Sequence, residues 1–157
     1  MNVRILVFLF LFLAGCGTQN QGLLRVGVRG QPRHDAKLYM QVRISERANQ
    51  NHPIALDLLV VYDDETLAMV MAMTGKDWFA RREQMKRDHQ GKLDVWSWEW
   101  VPGQVVSLQA VPVSTQQGKG FIFTDYLGAG EHRYKIDPHQ NITIRLLEKE
   151  VVVGRLR

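Results

Sequence analysis

A two-residue alternation of apolar and polar side chains recurs along this chain and constrains its fold more than any other feature. Leu38, Met40, Val42 and Ile44 fall on one face of a stretch whose other face carries Tyr39, Gln41 and Arg43. Successive side chains of a strand point to opposite faces, so the pattern predicts a half-buried strand over Leu38–Ile44. It returns at Leu93–Val101, where Leu93, Val95, Ser97, Glu99 and Val101 oppose Asp94, Trp96, Trp98 and Trp100. Between them, Ile54–Tyr62 reads as an apolar strand, and Ser45–Pro53, with nothing large and apolar, as an exposed loop. In Val101-Pro102-Gly103-Gln104, proline and glycine hold the central positions that a type II turn demands. That turn predicts a hairpin from the tryptophan strand into Val105–Val113. Glycines at 118–120 and 128–130 separate further short strands at Phe121–Leu127, Tyr134–Ile136, Ile142–Leu147 and Val151–Val153. One helix is predicted over Asp77–Asp88, capped by Thr74, with Asp77 in its first turn and basic residues towards its end. Asp63–Met73 fits helix and strand alike. Short strands with turn signals between them and a single helix predict an antiparallel β-sandwich.

The chain has 157 residues, enough for one domain that needs no metal or disulfide staple. Its beginning is a separate matter. Met1–Arg4 carries one positive charge and Ile5–Leu13 is an unbroken apolar run. Nine residues rise only about 14 Å as a helix, less than half of a roughly 30 Å hydrocarbon core, which fits a secretory signal and not a membrane span. Next comes Leu13-Ala14-Gly15-Cys16, with the chain's single cysteine behind small residues. This resembles the lipobox of bacterial lipoproteins. The resemblance implies cleavage before Cys16, with diacylglycerol on its thiol and an acyl chain on its new amino group. No cofactor is expected beyond these lipids. Several acyl chains on one residue give stable anchoring. Gly17 in place of aspartate points, by the sorting rule of such lipoproteins, to the periplasmic face of the outer membrane. The expected organisation is a signal peptide over 1–15, a lipidated flexible tether and lead-in over 16–37, and the sandwich over 38–157. Within the lead-in, Leu23–Val28 suits a short strand or an extended segment.

Without residues 1–15 the chain keeps 19 basic and 16 acidic residues, too balanced for a nucleic-acid partner. No Ser-x-x-Lys, Gly-x-Ser-x-Gly, His-Glu-x-x-His or phosphate loop is present. His34, His52, His89, His132 and His139 include no pair three or four apart, so no helix face offers two imidazoles to a metal. Asp63-Asp64 and Glu148/Glu150 are explained as well by turn and edge-strand solvation as by acid–base work. Trp96, Trp98 and Trp100 suit a sandwich core or, if exposed, a flat platform for glycan or peptide. Lys76, Arg81, Arg82, Lys86 and Arg87 read as a solvated helix face.

The order of these features carries a further resemblance. A lipobox is followed by a strand, a loop with Asn49, Asn51 and Pro53, and an apolar strand ending Val60-Val61-Tyr62. A helical excursion, the Val101-Pro102-Gly103 turn, Gly120-Phe121-Ile122-Phe123-Thr124-Asp125-Tyr126, His132-Arg133-Tyr134 and a closing strand pair come next. Over roughly Leu38–Val153 this resembles the TssJ family, outer-membrane lipoproteins of the bacterial type VI secretion system. His132-Arg133 stands where family members tend to carry tryptophan-arginine. The resemblance implies a transthyretin-like β-sandwich with an added helix and no catalysis. It implies a structural role, docking the periplasmic part of an inner-membrane TssM-like partner at the outer membrane. The contact loop it implies is Ser45, Glu46, Arg47, Ala48, Asn49, Gln50, Asn51 and His52. A polar loop held between two rigid strands is suited to such work. The competing reading is an outer-membrane lipoprotein that binds glycan or peptidoglycan through an exposed tryptophan face.

Overall fold

The computed structural model describes residues 33–156. Cys16, the 1–15 leader, most of the lead-in and Leu23–Val28 lie outside the described residues. Eight strands, β1 (Ala36–Ile44), β2 (Ile54–Val61), β3 (Leu93–Trp100), β4 (Gln109–Val113), β5 (Lys119–Thr124), β6 (Arg133–Ile136), β7 (Ile142–Leu146) and β8 (Val151–Arg155), form two four-stranded sheets. Their orders are β4-β1-β7-β8 and β3-β2-β5-β6, and the two inner faces close a β-sandwich as expected.

The alternation explains the sandwich. Leu38, Met40 and Val42 of β1 and Ile144 and Leu146 of β7 point inward, against Ile54, Leu56, Leu58 and Val60 of β2 and Ile122 of β5. β2 is apolar at every position except Asp57 because both its faces are covered. Its other face, Leu59 and Val61, joins Phe121 and Phe123 of β5 in a second core closed by Val70, Met73, Trp78 and Met85. Those four come from the excursion between β2 and β3, which forms two helices where one was expected: α1 (Asp64–Met71) and α2 (Gly75–Asp88). Asp63 settles the ambiguous segment as helix, because its carboxylate accepts the Thr66 N–H at 3.2 Å and Asp64 and Glu65 fill the first turn. α2 begins with a complete capping box: Asp77 N–H donates to Thr74 Oγ1 (3.2 Å) and Thr74 N–H to Asp77 Oδ2 (3.1 Å).

Three further details depart from the sequence reading. The turn at 101–104 forms, with Gly103 at φ 73° and Gln104 N–H on the Val101 carbonyl at 3.2 Å, yet it makes no hairpin. Residues 101–108 instead cross to the other sheet, where β4 pairs with β1 and buries Val111 and Val113. The sandwich is not wholly antiparallel, because β1 and β7 run parallel. β1 also begins at Ala36, and the lead-in is already fastened there: Asp35 accepts from Thr115 N–H and Oγ1–H, both at 2.8 Å.

Candidate docking loop

β1 and β2 lie in different sheets, so the chain between them must cross one end of the sandwich. It does so as a short 3-10 turn, Ala48–Asn51, held by three neighbouring segments. Ser45 N–H donates to the Leu146 carbonyl (2.9 Å), Asn49 N–H to Leu147 (3.1 Å) and Gln50 N–H to Glu148 (3.1 Å), which ties the loop to the end of β7. Gly103 N–H donates to the Ser45 carbonyl at 3.0 Å, which ties it to the crossing segment. The Arg47 guanidinium meets Glu148 Oε1 at 2.6 Å on the surface.

Asn49, Gln50 and Asn51 occupy the left-handed region in succession, at φ 47°, 55° and 65°. Each such non-glycine residue costs about 1–2 kcal/mol, least for asparagine, so the run persists only where the surroundings hold it. Asn49 supplies the hold. Its side chain is 1% exposed; Nδ2 donates to the carbonyls of Pro53 (2.9 Å) and Asp125 (3.3 Å), and Oδ1 accepts the Leu127 N–H (2.8 Å). The expectation of a fully exposed loop is therefore corrected at two positions. Ala48 is buried among apolar core residues, and Asn49 is buried because its amide replaces the backbone partners the bend removes. Glu46, Arg47, Gln50, Asn51 and His52 remain exposed, with Ser45 at the margin. The supporting residues Asp125–Leu127, Leu147–Glu148 and Gly103 escaped the sequence reading. The signal that was available is the pair of asparagines two apart, since asparagine is the side chain best suited to a left-handed bend.

The tryptophans turn towards the sandwich interior. In register with Ile54, Leu56 and Leu58, Trp100 is buried, while Trp98 and Trp96 pack half-buried against the same core. Trp98 and Trp100 stack at 5.9 Å, and His34 closes on Trp96 edge-on at 5.6 Å. The basic residues of α2 are not all solvated either. Arg82 lies 3.6 Å from the fully buried Asp57 and over the Phe79 ring.

Of the acidic residues weighed for chemistry, Asp63 and Glu148 have structural employment. Burial opposes ionisation of Asp63, but the Thr66 hydroxyl and amide and the nearby Lys92 and His89 outweigh it and hold its carboxyl below the usual range. At the end opposite the loop, a cleft of about 620 Å³ is lined by Tyr62, Asp63, Asp64, Lys119, Lys135 and His139, among others. Tyr62 donates to Asp94 at 2.7 Å, and burial followed by that carboxylate pushes its phenol well up. Glu148 is taken by Arg47. His132, at φ 48°, holds the Gly128 carbonyl at 2.7 Å, and Arg133 donates to the carbonyls of Met71 and Met73 while pairing with Glu131, so this pair fastens the end of α1 to β6.

No protein-family model and no curated protein sequence matches the chain. Solved structures match its fold. The type VI secretion lipoprotein TssJ1 from Pseudomonas aeruginosa superposes with a TM-score of 0.58 at 13% identity, over 78% of this chain and 97% of that one. Serratia marcescens Lip, described as a membrane-bound component of the type VI secretion system, gives 0.57 at 13% identity, over 78% and 98%. A chain in the structure of the TssM C-terminal domain (869–1107) from EAEC gives 0.52 at 10% identity, over 77% and 98%. The first two neighbours are TssJ lipoproteins of type VI secretion, and in fold this chain is TssJ-like.

Proposed function

We propose that this protein is a lipid-anchored assembly component of a type VI secretion apparatus. Acylated at Cys16, it sits on the periplasmic face of the outer membrane. There it docks the periplasmic part of a TssM-like inner-membrane protein through the exposed residues of the Ser45–His52 loop. The role is structural, with no catalysis. The observation that carries the reading is the loop itself: three successive left-handed residues, pinned from beneath by Asn49, present Arg47, Gln50, Asn51 and His52 in one fixed arrangement. A surface held in its binding geometry loses little freedom on association, which favours recognition. Its charges and amides suit a hydrogen-bonded contact. The TssJ-like fold supports the same reading across nearly the full length of its neighbours.

The test uses the lipidated chain in detergent and the purified periplasmic C-terminal domain of the TssM-type protein from the same bacterium. Binding is expected in a titration, and Arg47→Glu with Asn51→Asp should weaken it at least about tenfold, as for loss of a charge-assisted contact at an interface. Both side chains are exposed and aspartate, like asparagine, tolerates the left-handed backbone at 51, so near-ultraviolet circular dichroism should be unchanged. No binding by the wild type, or undiminished binding by the double variant, would overturn the proposal.

A further inference from the structure

Thirteen residues from Val101 to Val113 carry no charge, and three large apolar side chains among them face water: Val101 is 53% exposed, Val105 95% and Leu108 54%. Edge segments of sheets are ordinarily blunted with charge or proline, because unpaired backbone groups there invite another chain. This one is not blunted between Gly103 and Val111.

The backbone beside it is open. In β1, Tyr39 N–H donates to Asn141 Oδ1 and Ser45 N–H to the Leu146 carbonyl, both on the β7 side. Backbone groups alternate along a strand, so those of Met40, Val42 and Ile44 face the opposite edge, where β4 lies. β4 covers that edge only as far as the Met40–Gln109 pair. Beyond it the chain swings away and leaves a groove of about 360 Å³ between Gln41–Ile44 and Gly103–Leu108. Among the described residues, no backbone group bonds to the edge-facing N–H and C=O of Val42 and Ile44. Those two residues are spaced about 6.7 Å apart, the ladder repeat of an extended strand, which matches only another extended backbone.

We propose that the Val42–Ile44 edge is a strand-addition site for an extended, uncharged segment of the periplasmic partner. The incoming strand continues the sheet past β4, exchanges main-chain hydrogen bonds with Val42 and Ile44, and lays alternate apolar side chains against Val105 and Leu108. The proposal rests on the docking reading above. Ile44 runs directly into the docking loop, and Gly103 N–H on the Ser45 carbonyl joins the groove wall to that loop, so one partner reaches both.

Residue-resolved amide exchange, on the full chain with and without the TssM-type C-terminal domain, tests it. The domain should slow exchange of the Val42 and Ile44 amides by at least about tenfold, as for amides entering a hydrogen-bonded ladder. Ile44→Pro, which removes the edge-facing N–H, should weaken binding by up to about tenfold, the worth of one main-chain bond. Ile44 is half-buried, so Val105→Lys with Leu108→Lys, both on exposed side chains, provides a variant whose folding is not at issue, and it should weaken binding as well. If the domain protects the Gln50 and Asn51 amides but leaves Val42 and Ile44 unchanged, strand addition is wrong while loop docking stands. If nothing binds, both fail. Protection already present in the free chain, or growing with its own concentration, would assign the edge to this chain or a second copy and overturn the proposal.

Discussion

Asn49 shows how one side chain fixes a surface it does not itself present. Its amide makes three hydrogen bonds, to Pro53, Asp125 and Leu127, from a nearly dry position, and its backbone starts the left-handed run. Asn49→Ala therefore takes the partner from the Leu127 N–H and the Pro53 and Asp125 carbonyls, in three part-buried hydrogen bonds, and places alanine where φ is 47°. Hydrogen bonds of this kind contribute about 0.5–1.5 kcal/mol each and the strained backbone adds about 1, so a loss of roughly 2–4 kcal/mol is expected in chemical denaturation. A loss under half a kcal/mol would mean the loop is held by its backbone bonds alone. Part of this was legible in advance. Asparagines suit left-handed bends and a polar run between two strands suits a loop, which located the segment. What the residues could not tell is which asparagine turns inward. That depends on the carbonyls of 53 and 125, seventy-odd positions apart in the chain.

At the level of strands and helices, local chemistry was the reliable guide and partner choice the unreliable one. Alternation placed β1 and β3, and the Thr74–Asp77 capping box placed the start of α2, because both signals are complete within a few residues. The turn at 101–104 was also local and also formed, but it could not say which strand Val111 and Val113 would join. α2 poses the same question, since its apolar face is thin and much of its length is charged. It is held on the sheet by a single buried polar pair within the second core: Trp78 Nε1–H donates to Asp57 Oδ2 at 2.7 Å, and Trp78 stacks on Phe123 at 5.4 Å. Among the described residues, Asp57 Oδ1 has no hydrogen-bond partner, and its nearest cation is Arg82 at 3.6 Å. Asp57→Ala should therefore unseat α2, exposing an indole N–H to an apolar core at a cost of about 1–3 kcal/mol. Urea unfolding followed by tryptophan emission should show the loss together with a changed native spectrum from Trp78. An unchanged spectrum and midpoint would mean apolar packing alone seats the helix.

Across the whole molecule, β1 joins the two ends that the proposed role needs. Its first residue, Ala36, follows the lead-in towards Cys16, and its last, Ile44, opens into the docking loop, about 26 Å away along nine residues of strand. An anchor at one end and a partner at the other would load this strand along its length, between β4 on one side and β7 on the other. The lead-in is clasped to both sheets where the load would enter. Asp35 takes two hydrogen bonds from Thr115 just beyond β4, and His34 Nε2 lies 2.8 Å from Asp94 of β3, which also accepts the Tyr62 hydroxyl. The Thr115 amide, then its hydroxyl, stabilise the Asp35 carboxylate and lower its pKa on folding. A lowered carboxyl contributes stability that is present above its unfolded value, about 3.9, and is lost as pH falls through the folded one. The melting temperature of Asp35→Ala should thus lie below that of wild type at neutral pH, and the gap should narrow steadily below about pH 4. A gap of equal size at both ends of that range would mean that Asp35 contributes packing rather than charge, and that the clasp holds the same at every pH.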